Sequence, residues 1–225
     1  MFNLRKTKKQ HKKQLIVLLH GIANPALVMT PIELFLKSEG YETLNIEYPS
    51  QSESITRLSK YIHKALTKKA SKKYDRIHFV CFSLGGLVLR AYLTRTKPSN
   101  LGSVVMLGTP NQGTQAADKL KDTWYYKLFF GTAGQELTTD HFSTHENIDY
   151  TLGIIAGNDN SLSPVNILTD NCLPEPNDGA VSVDGTKIEG MQDHITLNLN
   201  HPSLITNKES MQQILNFIEK GKFKR

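Results

Sequence analysis

The chain has 225 residues, 39% of them hydrophobic and 21% charged, which suffices for a sizeable core and excludes global disorder. No apolar run approaches the about 18 residues needed to span a bilayer. The unusual number is the charge: 27 Lys+Arg against 21 Asp+Glu, a formal +6 with pI near 9.2. That balance would suggest an anionic partner, but Arg5, Lys6, Lys8, Lys9, Lys12 and Lys13 hold all of it within residues 1–14, which contain no acid. The remainder of the chain is neutral, so a nucleic-acid partner is not expected. Three readings of the tail stay open: a flexible solvated segment, an electrostatic anchor giving weak peripheral membrane contact, or a signal-like remnant. Against the last, the apolar run Leu15-Ile16-Val17-Leu18-Leu19 is cut short by His20-Gly21, below the about 7–15 residues of a secretory apolar region. Two cysteines, Cys81 and Cys172, make no disulfide framework. There is no C-x-x-C, H-E-x-x-H, Walker-type loop or N-x-S/T sequon. No metal or cofactor is expected, and a cytoplasmic location fits.

Taken in chain order, Leu15 to His20 has the continuous apolar character of a strand buried on both faces. Thr30 and Glu33 have capping-box spacing with Pro31 between them, predicting a helix that ends at Gly40. Tyr41 to Glu47 reads as a second strand. Ile55, Leu58, Ile62, Ala65 and Leu66 recur at helical spacing, and Lys68, Lys69, Lys72 and Lys73 near that helix end complement its dipole. Ile77 to Phe82 is a third strand, followed by a helix over Leu84 to Thr94. Val104–Leu107, Leu152–Ala156 and Ile195–Leu199 read as the remaining strands. Met211, Ile214, Leu215 and Ile218 mark a closing helix that stops before Gly221. Alternating strands and helices predict an α/β fold, about six mostly parallel strands with helices on both faces. A single domain over 15–225 follows the tail, with a capping segment around 111–150.

The segment His78-Phe79-Val80-Cys81-Phe82-Ser83-Leu84-Gly85-Gly86-Leu87-Val88 runs an apolar strand into a serine and then opens a helix. A serine hydroxyl becomes a useful nucleophile when its backbone exposes it and a base takes its proton. A sharp strand-to-helix turn does the first of these, and the helix N-terminus favours developing negative charge. Taken alone, Ser83 reads equally well as an ordinary helix N-cap. The segment resembles the nucleophile elbow of the α/β-hydrolase superfamily, usually G-x-S-x-G, with Cys81 standing where the first glycine normally falls. His20-Gly21 resembles the family's H-G element, and Leu107-Gly108-Thr109-Pro110-Asn111-Gln112-Gly113-Thr114 its L-x-T-P-x-x-G-[ST] stretch. The resemblance implies an α/β-hydrolase fold of the small lipase/esterase type, related in motif to triacylglycerol lipases and GPI-inositol-deacylase-like hydrolases. It also implies an oxyanion hole from the backbone N–H groups of Ile22 and Leu84, while the His20 side chain itself reads as a hydrogen-bonded core histidine.

The superfamily's order of nucleophile, acid, histidine then sorts the remaining candidates. His11 lies in the tail, His63 on a helix, His78 inside a strand, His141 and His145 in the segment before the fifth strand, and His194 at the start of the sixth. His201 alone follows the last strand. Asp159, Asp170, Asp178 and Asp184 could each supply the acid by position. Asn177-Asp178-Gly179-Ala180-Val181 resembles the family's D-G-x-V acid motif, which implies Asp178, with Asp159 the alternative. The implied catalytic triad is Ser83, Asp178 and His201. The implied reaction is hydrolysis of a small-molecule or lipid carboxylic ester through an acyl-enzyme. An acyltransferase or thioesterase with the same triad, or a binding-only relative, stays open. Trp124, Tyr125, Tyr126, Leu128, Phe129 and Phe130 read as either an apolar acyl-binding wall or core packing of a capping helix.

Overall fold

The computed structural model describes residues 13–69, 73–142, 148–161 and 172–225. Six strands form one sheet: β1 (Gln14–Leu19), β2 (Glu42–Ile46), β3 (Arg76–Phe82), β4 (Leu101–Leu107), β5 (Leu152–Gly157) and β6 (Asp193–Leu197). Their order is β2-β1-β3-β4-β5-β6, with every neighbouring pair parallel. The central strands are buried on both faces, which is why their sequences are continuously apolar rather than alternating.

The alternation persists in which layer each side chain enters. Leu15, Val17 and Leu19 of β1 pack on one side with Leu58, Ile62 and Leu66 of α2 (Ile55–Lys68) and with Leu87 and Val88 of α3 (Leu84–Leu93). Ile16 and Leu18 pack on the other with Ile32 and Leu36 of α1 (Thr30–Ser38) and with Ile214 and Phe217 of α7 (Lys208–Lys220). Among the described residues, α4 (Gln115–Leu120), α5 (Trp124–Gln135) and the single turn α6 (Val183–Thr186) lie between β4 and β6 in the chain. Among the described residues no helix is long and apolar enough to cross a membrane.

Three local expectations are corrected. The Thr30–Glu33 capping box does not form: a 3-10 turn over Ala26–Met29 leads directly into α1, and the N-cap position falls to Met29. Glu33 instead binds Lys37 at 2.6 Å and accepts from Thr43 Oγ1 and Asn45 Nδ2, tying α1 to β2. Strand β4 begins three residues before the predicted Val104, because Gly102 leaves room for the His78 ring, which a Cβ there would meet at 2.7 Å. Strand β6 starts and ends two residues before the predicted Ile195–Leu199. The closing helix behaves as its sequence implies, with Asn207 accepting from the Glu209 amide at one end and Gly221 in the left-handed region at φ 68° at the other.

Candidate active site

All six strands run in the same direction, so their C-terminal ends share one edge, where ligand sites of open α/β sheets are built. Ser83 leaves the end of β3 with φ 51° and ψ −121°, a strained conformation for a residue carrying a side chain. Its hydroxyl makes no capping bond to α3, which disposes of the N-cap reading. The strain is held from both sides: the Ser83 amide donates to the Leu107 carbonyl at 2.9 Å, and Thr109 Oγ1 donates to the Ser83 carbonyl at 3.0 Å. Gly85 is required beneath the turn, since a Cβ there would lie 2.6 Å from the Leu19 carbonyl oxygen. Cys81 is tolerated because its side chain turns away into the core on the α2–α3 face, fully buried. Burial there pushes its thiol pKa well up.

The chain after β1 passes directly against this turn. A Cβ on Gly21 would come within 3.2 Å of the Ser83 Cβ, so the His20–Gly21 backbone is in contact with it. The His20 side chain is buried, as expected of a core histidine: Nδ1 donates to the Gly21 carbonyl at 2.9 Å, and the ring stacks on Tyr48 at 3.9 Å. The Tyr48 hydroxyl in turn donates to the His20 carbonyl. These bonds fix the path of the backbone leading to Ile22.

Burial lowers the His20 pKa below its ordinary 6.5, outweighing the hydrogen bonds and the nearby Glu47 that favour the charged form. The unfolded chain therefore binds a proton that the folded chain refuses. This contribution to stability is complete above 6.5 and is lost as pH falls through the lowered folded value. His194, also lowered by burial, has the same sign. Thermal melts between about pH 7 and pH 5 should show His20→Gln losing less stability on acidification than wild type. Parallel slopes for the two proteins would overturn this account.

The predicted histidine and acid are hydrogen-bonded. His201 Nδ1 donates to Asp178 Oδ2 at 2.7 Å, and the His201 amide donates to the Asp178 carbonyl at 2.9 Å. Asp178 is 1% exposed, and its other oxygen accepts from the Ala180 and Val181 amides at 3.0 and 2.8 Å. Gly179, at φ 89°, supplies the turn that brings those amides back. Of the alternatives, Asp159 accepts from the Ser161 amide and exposed Asp184 pairs with Lys187, while Asp170 lies outside the described residues. Among the other histidines, His78 accepts from the Ser103 amide and His194 bonds Thr186, while His145 lies outside the described residues.

Residues of the Leu107–Thr114 stretch hold this geometry. Gly108, at φ 54°, gives the His201 ring its place: a Cβ there would meet the ring at 2.9 Å. Asn111 accepts from buried Arg90 at 2.9 Å through its carbonyl and donates through Nδ2 to the Thr186 carbonyl at 2.7 Å. Gln112 donates to the carbonyls of Asp184 and Lys187, and Thr114 to that of Ala180. The stretch after β4 thereby fastens the loop carrying Asp178. Its polar spacing was the available signal; Arg90 had none.

Ser83 and His201 line one cavity of about 620 Å³. Its walls include Ile22, Val28, Leu120, Tyr126, Phe130 and Leu137, and among the described residues they carry no acid, lysine or arginine. Such a lining suits an uncharged, largely apolar ligand. The two readings of the aromatic cluster divide between its members. Tyr126 and Phe130 form wall, 4.7 Å apart by ring centroids, and Tyr125 packs against the core, whereas Trp124, Leu128 and Phe129 are exposed and fit neither reading. Helix α5 is kinked at Gly131 (φ 54°), which sits against the Gln51 backbone where a Cβ could not fit.

Residues 15–151 match the family model described as palmitoyl protein thioesterase. No curated protein matches the chain. Among solved structures it is similar to the mature Bacillus licheniformis lipase BlEst2, with TM-score 0.75 and 18% identity over 93% of this chain and 92% of that one. It is also similar to the metagenomic carboxyl esterase MGS0156, with TM-score 0.76 and 15% identity over 94% and 77%. The Legionella pneumophila phospholipase PlaB gives TM-score 0.70 and 12% identity over 92% and 62%. These identities speak for a shared α/β-hydrolase fold.

Proposed function

The chain belongs to the palmitoyl protein thioesterase family, within the esterase, lipase and thioesterase hydrolases of the α/β-hydrolase superfamily, and from that premise we propose that it hydrolyses carboxylic esters through Ser83, His201 and Asp178. The observation that carries the reading is the buried Asp178–His201 hydrogen bond, whose imidazole lines one apolar cavity with Ser83.

In the proposed cycle Ser83 Oγ attacks the substrate carbonyl while His201 Nε2 takes the hydroxyl proton. Asp178 holds Nδ1–H, keeping Nε2 free as the acceptor, and stabilises the imidazolium that forms. The amides of Ile22 and Leu84 receive the oxyanion, the first from the backbone beside Gly21 and the second from the first turn of α3. Collapse breaks the bond to the leaving group, which takes the proton from His201 and departs as alcohol. Water then repeats the sequence on the acyl-enzyme, releasing the acid and restoring Ser83.

The family match supports a second reading in which the leaving group is a thiol, so that the substrate is an acyl thioester. Both readings use the same residues and the same apolar wall for the acyl chain. Labelling with a fluorophosphonate tests what they share. Wild type should be labelled and Ser83→Ala should not. Equal labelling of the two proteins, or none in either, rejects the activated serine.

A further inference from the structure

We propose that the outer face of α2 is an electrostatic docking surface for an anionic lipid bilayer. This goes beyond the hydrolytic reading and stands without it.

Between Ser54 and Tyr74 the sequence places seven lysines and arginines and no acid. The neutral body therefore conceals a strong internal separation of charge. Four of these cations, Arg57, Lys60, Lys64 and Lys68, are exposed on α2. At 3.6 residues per turn their spacing confines them to an arc of about 80°, opposite the buried stripe of Ile55, Leu58, Ile62 and Leu66. Among the described residues none of the four forms an ion pair. Lys69, beside the stripe, is paired with Glu42 at 3.5 Å. The acid beside Lys64 and Lys68 in the shallow groove between α2 and β2 is Glu47, whose carboxylate accepts from the Ala26 amide at 2.7 Å and lies 3.6 Å from His20. Dipole complementation accounts for a lysine in the last turn; it does not account for Arg57 and Lys60 near the first.

The stripe has basic and apolar neighbours. The Asp75 amide donates to the Lys13 carbonyl at 2.7 Å, so the sequence carrying five further cations joins the fold next to the segment that follows α2. At the opposite end, Gln51 donates through Nε2 to the Phe129 carbonyl and accepts from the Thr132 amide at 2.8 Å, joining the approach to α2 to helix α5. Trp124, Leu128 and Phe129 of α5 are 75, 65 and 60% exposed. Cations on a helix face with an exposed tryptophan and aliphatic residues close by are the combination that membrane surfaces select. A nucleic-acid surface would require free stacking or base-edge groups among the cations. The aromatic among them, Tyr61, is packed against the core with its hydroxyl donating to Glu53 at 3.0 Å, and the exposed residues between them are His63 and Thr67.

Full-length Ser83→Ala protein should sediment with phosphatidylcholine vesicles containing phosphatidylglycerol, and much less with phosphatidylcholine alone. Raising the salt concentration should release it. With each surface cation worth a substantial factor in membrane affinity, the quadruple variant Arg57→Gln/Lys60→Gln/Lys64→Gln/Lys68→Gln should bind at least about 30-fold more weakly. The same four changes in the Ser83-containing chain should leave hydrolysis of a soluble short ester unchanged, which also establishes that the variant folds. Should neither chain hydrolyse any ester, a matching thermal melt serves that purpose, so failure of the hydrolytic reading is seen separately. Undiminished vesicle binding by the variant would assign attachment to the N-terminal cations and overturn the proposal. So would equal binding to uncharged vesicles, or tighter binding to duplex DNA or polyglutamate than to the anionic vesicles.

Discussion

Alanine at Ser83 should lower kcat on a soluble ester by about 10⁶-fold, and alanine at His201 by a similar factor. On the proposed mechanism both residues serve one proton-coupled attack, so removing either would leave only binding and the oxyanion amides. The backbone at Ser83 spends conformational strain on presenting a hydroxyl at the sheet edge, with φ 51° held by Leu107 and Thr109. His201 is held just as closely, by Asp178 on one side and by the Phe82 ring at 4.8 Å. The double variant is therefore expected to be no slower than either single one. Steady-state kinetics on the three proteins decides the matter. Losses that multiply would mean that the two side chains act independently, and the proposed attack would have to be abandoned.

The second large effect belongs to the acid. Asp178→Asn should cost about 10⁴ in kcat, while Asp159→Asn leaves it unchanged. The replacement keeps nearly the same shape, and its consequence follows from hydrogen-bond polarity. The amide oxygen is drawn to the Ala180 and Val181 amides, which need an acceptor. That points the amide NH₂ at His201 Nδ1, which must then accept rather than donate. The imidazole proton moves to Nε2, where it faces the serine and blocks base catalysis. Kinetics of the two variants, with circular dichroism as the folding control, checks this. A loss of only a few fold, or a larger loss for Asp159→Asn, would remove Asp178 from the role.

Legibility in the sequence tracked how local the determining physics is. The buried strands were legible because burial on both faces demands unbroken apolar runs, and Ser83 because a strand, a serine and two glycines are contiguous. His201 and Asp178 were reached through family resemblance and chain order, and they meet in space through the 2.7 Å bond that neither local pattern could announce. What escaped was set by tertiary partners. Glu33 looked like half of a capping box, yet Lys37, Thr43 and Asn45 claimed it. Gly102 and Ser103 lay outside the predicted Val104–Leu107 strand and instead belong to β4, where the glycine clears the ring of His78. Strand β6 opens earlier than its apolar run, at Asp193, which accepts from the Phe223 amide and pairs with Arg225 at 2.6 Å, bonds made by residues far along the chain. Gly108 was noticed as part of a family-like stretch, but the His201 ring it accommodates lies far away in sequence.

Strand β6 is both an edge of the sheet and the last strand in the chain, and His201 follows it. On the proposed chemistry this fixes when activity can arise during synthesis. The nucleophile's strand occupies the middle of the sheet and can pair early, but its base follows β6, whose parallel pairing to β5 joins Gly153 to Asp193 across 40 residues. Parallel pairings of that kind close slowly, since the intervening loop loses its freedom before any contact repays it. A chain still missing its final stretch carries an exposed, unassisted serine and no means of using it. On that chemistry hydrolytic competence would coincide with docking of β6, and a chain cut before His201 would stay chemically silent.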